Sequence, residues 1–270
     1  MHLDSWAAFE SALQQLTAEH EALRAKQFQQ RLSSFLFRGQ RNASWELTTT
    51  LERYKPPSLQ FTQYYRAILS AKPQIEAHTD SRWDVQPYVD FAKLARNSDA
   101  GLSLKADPPA YDYMVYLRHH GFPSPLLDWS RSPYVAAYFA FSEATDADGR
   151  VAILAYREFS SMVKSGSPTA PAIVVHGPYV RTHRRHFIQQ CQYTMCYAYD
   201  DPEWHYTPHE SVFAQAVENQ DTLCKFTLPV SERQHVLAQL DKHNLNAYSL
   251  FGSEEALMQM MAARELTHLR

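Results

Sequence analysis

Three stretches of this chain carry side chains able to do chemistry. The first is Arg38, at the end of the apolar run Ser34–Gly39 (SFLFRG). A guanidinium behind three apolar residues cannot be buried without partners. Its planar fork of donors suits a carboxylate or a phosphate, and an internal ion pair, for instance with Asp128, is the competing use. The second stretch runs His119-His120-Gly-Phe-Pro-Ser-Pro-Leu-Leu-Asp128-Trp129-Ser130, with Ser132 just beyond. It packs histidine, serine, aspartate and tryptophan around a rigid proline loop, the kind of segment that often carries a site. Plainer roles exist for each residue: His119 and His120 would favour a helix C-terminus, Asp128 would pair with Arg38, and Trp129 would pack in the core. The third stretch is Arg185-His-Phe-Ile-Gln189-Gln190-Cys-Gln-Tyr-Thr. If it is a regular strand, one of the two amides faces inward and needs a partner or a ligand. The basic run Arg181–Arg185 reads as a solvated loop.

Elements must hold these residues in place. Residues 5–30 read as a helix, with Trp6, Phe9, Leu13, Leu16, His20 and Leu23 on one face and Asp4 or Ser5 as cap. Ser34–Gly39 reads as a buried strand. Residues 60–97 read as mainly helical, with Gln60–Leu69 and Tyr88–Arg96 as candidates, and Tyr111–His119 as a further helix. A very short strand at Leu126–Asp128 leads into a helix at Pro133–Phe141, capped by Ser130 or Ser132. Val151–Tyr156, Ala172–Val175, Gln189–Cys196 and Lys225–Pro229 read as strands, Ser231–Lys242 and Ser253–Arg264 as helices, and Asn244–Ser249 as a turn or short strand. With no repeat and no compositional break, the expected organisation is one compact unit over residues 34–270. Residues 1–33 supply a helix packed against it. The fold class is α+β, a small mixed or antiparallel sheet with surrounding helices.

Composition removes several function classes. The net charge of -3 excludes a globally basic, nucleic-acid-binding surface. Seven glycines give little material for a glycine-rich phosphate loop, and no such fingerprint occurs. Cys191, Cys196 and Cys224 are too sparse and uneven for a disulfide framework, which points to a reducing, cytoplasmic setting. Met1–Trp6 lacks the basic and apolar regions of a leader, and the longest apolar stretch, Pro133–Phe141, is too short to cross a bilayer. No metal is expected: Cys191 and Cys196, with His183 and His186 nearby, lack the usual ligand spacing.

Phe37-Arg38-Gly39-Gln40, followed by Trp45, resembles the motif that names the FRG domain family. His119-His120-Gly121, Leu126 through Ser130, Ser132-Pro133, Val135-Ala136 and Tyr138-Phe139-Ala140 are similar to that family's longest motif. Arg185 through Tyr193 resembles its third motif, with Gln189 at the matching glutamine, and Phe226–Pro229 and Leu250-Phe251 resemble its C-terminal pattern. The resemblance runs from about Phe35 to about Leu257. Two positions depart from it: Pro125 replaces a basic residue and Cys191 a glycine.

The resemblance further implies a divergent ADP-ribosyltransferase-like fold. Under it, Arg38, Ser130 and Gln189 would be the catalytic set. Gly39, Gln40, His119, His120, Asp128, Trp129, Ser132, Tyr138, Arg185 and Gln190 would line the substrate site. NAD would be the substrate, with Arg38 on a phosphate, Ser130 on the ribose or nicotinamide, and Trp129 or Tyr138 stacked on a ring. The acid that stabilises an oxocarbenium would come from Asp128, Glu210 or Glu254, since glutamine is neutral. The acceptor would be protein or nucleic acid, and the setting a toxin or phage-defence effector with an antitoxin or defence partner. The alternative is a module that binds a nucleotide or nucleic-acid end without turnover.

Overall fold

The computed structural model describes residues 1–26, 33–54, 59–106, 108–158, 167–180, 184–213 and 221–266. The expected helix end at 27–30 and the basic residues 181–183 lie outside them. The chain begins with helix α1 (Trp6–Lys26), strand β1 (Leu36–Gln40), α2 (Thr50–Tyr54) and β2 (Leu59–Gln60). Four helices follow: α3 (Phe61–Thr79), α4 (Tyr88–Ala95), α5 (Gly101–Ala106) and α6 (Tyr111–His119). Next come β3 (Leu127–Ser130), α7 (Pro133–Phe141), β4 (Arg150–Arg157), β5 (Ala172–His176), α8 (Arg185–Ile188), β6 (Cys191–Asp200), β7 (Glu203–Tyr206) and α9 (Glu210–Phe213). The chain closes with β8 (Thr222–Pro229), α10 (Arg233–Lys242), α11 (Ala247–Phe251) and α12 (Glu254–Leu266).

The eight strands form one sheet in the order β2-β7-β6-β3-β1-β4-β8, with β5 also paired to β6, and the strand pairs are antiparallel. Alternation along the central strands divides the core. Phe37, Val151, Ile153, Phe226 and Leu228 face a layer of helices that includes α7, α10 and α1, the last through Trp6, Phe9 and Leu13. Leu36, Leu154, Tyr156, Leu127 and Trp129 form a second cluster on the opposite face. Tyr193, Met195 and Tyr197 of β6 pack with α3, α4 and α6 in a third.

Two expected segments differ. Gln189 and Gln190 lie in the turn after α8, not on a strand; β6 starts at Cys191, because Gln190 takes a φ of 50°. Asn244–Ser249 is neither a turn alone nor a strand. The Asn246 side chain accepts from the Ser249 N–H at 2.9 Å and starts α11.

Candidate functional site

The site is organised by the junction of β1 and β3. These strands share one register position, Phe37↔Ser130. One residue further along β1, Arg38 continues the link with its side chain: Nη1 donates to the Asp128 carbonyl at 2.7 Å and to Asp128 Oδ1 at 2.6 Å. Arg118, from the last turn of α6, donates through Nη2 to the same Oδ1 at 2.6 Å and through Nη1 to Thr50 Oγ1 at 3.1 Å. Burial alone would raise the Asp128 carboxyl, but the two guanidiniums outweigh it and hold the group well below the usual carboxylate range. The aspartate is therefore ionised, and its role is to hold Arg38.

Packing explains the glycine beside Arg38. A Cβ on Gly39 would lie 2.0 Å from the Ala136 carbonyl oxygen and 2.5 Å from the Ala140 nitrogen, both backbone atoms of α7. Only a glycine lets α7 lie this close to β1. The helix itself starts where Ser132 Oγ accepts from the Val135 N–H at 3.3 Å, with Pro133 at its first position.

Beside this junction opens a cleft of about 760 Å³, lined among others by Arg38, Gln40, Arg41, Trp45, Glu46, Arg53, Asp128, Ser130, Phe139, Glu143, Gln189 and Cys191. Its charged lining is mixed, with Arg38, Arg41 and Arg53 beside Glu46, Asp128 and Glu143. The Nε of Arg38 and the Oε1 of Gln40 are buried without a hydrogen-bond partner among the described residues. Arg53, at the end of α2, bonds the Thr49 carbonyl through Nε and forms no ion pair among the described residues. Its pKa is lowered by burial and by the neighbouring charges of Arg38 and Arg118. Arg41 lies over the exposed ring of Trp45, 5.2 Å from its centroid.

The structure sorts the expected site residues into three groups. Arg38, Gly39, Gln40, Asp128, Trp129, Ser130 and Gln189 meet at the cleft. Within that group, Ser130 and Gln189 are spent on the fold: Ser130 Oγ donates to the Gln189 carbonyl at 2.8 Å and accepts from the Ser132 N–H at 3.0 Å, while the Gln189 amide donates to the Leu250 carbonyl at 3.0 Å. The Trp129 ring is buried against Tyr156, its N–H given to Thr194 Oγ1 at 2.9 Å, so it is not placed to stack on a ligand. The remaining residues lie off the cleft. Tyr138 is in the core as part of α7, the His120 ring lies tilted against Tyr116, and Arg185 bonds the Phe251 carbonyl; Gln190 is exposed. Of the suggested acids, Glu210 caps the Leu47 N–H at 2.8 Å and Glu254 begins α12, away from the cleft. Glu46 and Glu143 line it instead, and together with Arg118, Arg53 and Arg41 they were not singled out from sequence.

His119 and His186 converge elsewhere. His119 Nε2 is 2.7 Å and His186 Nδ1 3.2 Å from the Tyr193 hydroxyl, with Cys191 alongside. Burial pulls His119 down to about 4 and pushes the Cys191 thiol up to about 12, so both are uncharged near neutral pH.

A family model described as the FRG domain matches residues 33–149. The chain contains an FRG domain. Its three naming residues have separate tasks here: Phe37 fills the core, Arg38 ties β1 to β3, and Gly39 admits α7. The matched FRG segment holds β1, β3, α6 and α7, and so the Arg38–Asp128–Arg118 network. No curated protein and no solved structure matches the chain. No helix among the described residues is long and apolar enough to cross a membrane.

Proposed function

We propose that the cleft binds the phosphates of a nucleotide, with NAD or another ADP-ribose-bearing molecule as the ligand class. The observation that carries this reading is the state of the arginines. Asp128 uses one nitrogen of Arg38 and leaves the rest of its fork beside Arg53, which has no carboxylate of its own among the described residues. Guanidiniums arranged in this way suit a phosphate. A volume of about 760 Å³ falls within the usual range for a ligand of this size. Trp45 at the rim offers an exposed ring for a base. Calorimetric titration with NAD, ADP and adenosine tests it. NAD and ADP should bind, adenosine at least about tenfold more weakly, and Arg53→Met should narrow that difference. Equal affinity for adenosine and ADP would remove the phosphate from the account.

A second reading, NAD-dependent ADP-ribosyl transfer, is supported by Glu46 and Glu143, which both line the cleft. Breaking the nicotinamide bond develops positive charge on the ribose, which a carboxylate stabilises and Gln189 does not. On this reading the acceptor is a protein or a nucleic acid, in a toxin or phage-defence setting with a cognate partner. Nicotinamide release that is lost in Glu143→Gln and Glu46→Gln supports it; binding of NAD without release leaves the binding module.

A further inference from the structure

We infer that His119, His186 and Cys191 form a binding site for a divalent, thiolate-seeking cation, Zn²⁺ by the character of its donors. The three residues come from the end of α6, the short α8 and the first position of β6, and their ligand atoms all lie within 4.8 Å of one another. Two nitrogens and a sulfur are the donor types that Zn²⁺ takes in tetrahedral sites.

The hydrogen bonds fix which atoms face inward. His186 Nε2 is 2.8 Å from the Pro178 carbonyl. A carbonyl only accepts, so this nitrogen carries the proton and Nδ1 presents its lone pair. A ring nitrogen turned to a backbone carbonyl, with the other left for the ion, is how ligating histidines are oriented. The Tyr193 hydroxyl sits at the convergence point, 2.7 Å from His119 Nε2 and 3.2 Å from His186 Nδ1. The Cys191 thiol has a weaker attachment, 3.7 Å from Gln189 Oε1. Donors around Zn²⁺ lie roughly 2.0–2.3 Å from the ion, so small ring and thiol rotations with withdrawal of the Tyr193 hydroxyl complete the site. Arg118, which precedes His119 in the chain, has its charge held by Asp128 at 2.6 Å. On binding, the Cys191 S–H bond breaks, an S–Zn bond forms, and the proton passes to the buffer. Cys191 is also among the residues that line the cleft, and a Zn²⁺ held by three protein ligands takes water as its fourth.

Co²⁺ substitution tests the site in the full chain. One equivalent of Co²⁺ should give tetrahedral ligand-field bands and a sulfur-to-metal charge-transfer band, displaced by one equivalent of Zn²⁺. Cys191→Ser should abolish the charge-transfer band, while a Cys196→Ser, Cys224→Ser protein keeps it. Zn²⁺ affinity in Cys191→Ser and His186→Gln should fall by more than the roughly 10–100-fold that loss of an outer hydrogen-bond partner brings. Circular dichroism confirms that each variant is folded, and Cys191→Ser is close enough in size to serve if His186→Gln is not. Absence of stoichiometric metal after loading, or a charge-transfer band unchanged in Cys191→Ser, overturns the assignment.

Discussion

Replacing Asp128 by asparagine should destabilise the protein while keeping its shape. The substitution removes the negative charge that Arg38 and Arg118 share, and their side chains are only 16% and 14% exposed. Leaving buried ions without their partner costs roughly 3–5 kcal/mol. The carboxylate itself is 45% exposed, and solvent screening reduces the expected loss to about 2–3 kcal/mol. For a chain of this size that is a fall in melting temperature of roughly 5–10 °C. The pH dependence follows from the lowered pKa of Asp128. A carboxyl that ionises more readily folded than unfolded contributes stability above its unfolded pKa, near about 3.9. That contribution disappears as pH falls through the lower, folded value. The gap between wild type and Asp128→Asn should therefore be constant from neutral pH to about pH 5 and close below about pH 4. Urea unfolding followed by circular dichroism across that range measures it. Equal stability at neutral pH, or a gap that widens in acid, would refute the reasoning.

Arg38→Met should cost less stability than Asp128→Asn, about 1–2 kcal/mol, because Arg118 still neutralises the carboxylate; thermal melts compare the two. Gly39→Ala forces a Cβ to 2.0 Å from the Ala136 carbonyl, so a loss of about 3 kcal/mol or more, or failure to accumulate as folded protein, is expected. Trp45→Ala, at a residue 42% exposed, should leave the melting temperature nearly unchanged, within about 0.5 kcal/mol, and weaken nucleotide binding in calorimetry. Burial lowers His119 to about 4 and His176 and His209 to about 3; their unfolded pKa is higher, so stability should fall from about pH 6.5 downward, and His119→Gln should flatten that slope in chemical denaturation.

Some of this architecture was legible in the residues. Tyr111–His119 and Pro133–Phe141 form as read, the second because Ser132 and Pro133 mark its start locally. The apolar run before Arg38 marked β1, and the cost of burying a guanidinium pointed to Asp128. Arg118 was hidden because its partner lies ten residues on, across a proline loop whose path no local pattern discloses. Strand β7, Glu203-Trp-His-Tyr, alternates but has only four residues, and Arg53 sits on a helix of five, both too short for periodicity to show. Gln189 and Gln190 read as part of β6 because the stretch around them is apolar and carries no break signal. The turn is made instead by a left-handed Gln190, a conformation that no glycine announces there.

On the proposed reading, Asp128 holds Arg38 so that, with Arg53, it receives a phosphate. A crystal structure of the protein soaked with ADP tests this most directly. A phosphate oxygen is expected within hydrogen-bond reach of both Arg38 and Arg53, with the Arg38–Asp128 contact kept near 2.6 Å and the adenine beside Trp45. ADP bound at another surface, or bound here with its phosphates turned away from both arginines, would contradict it.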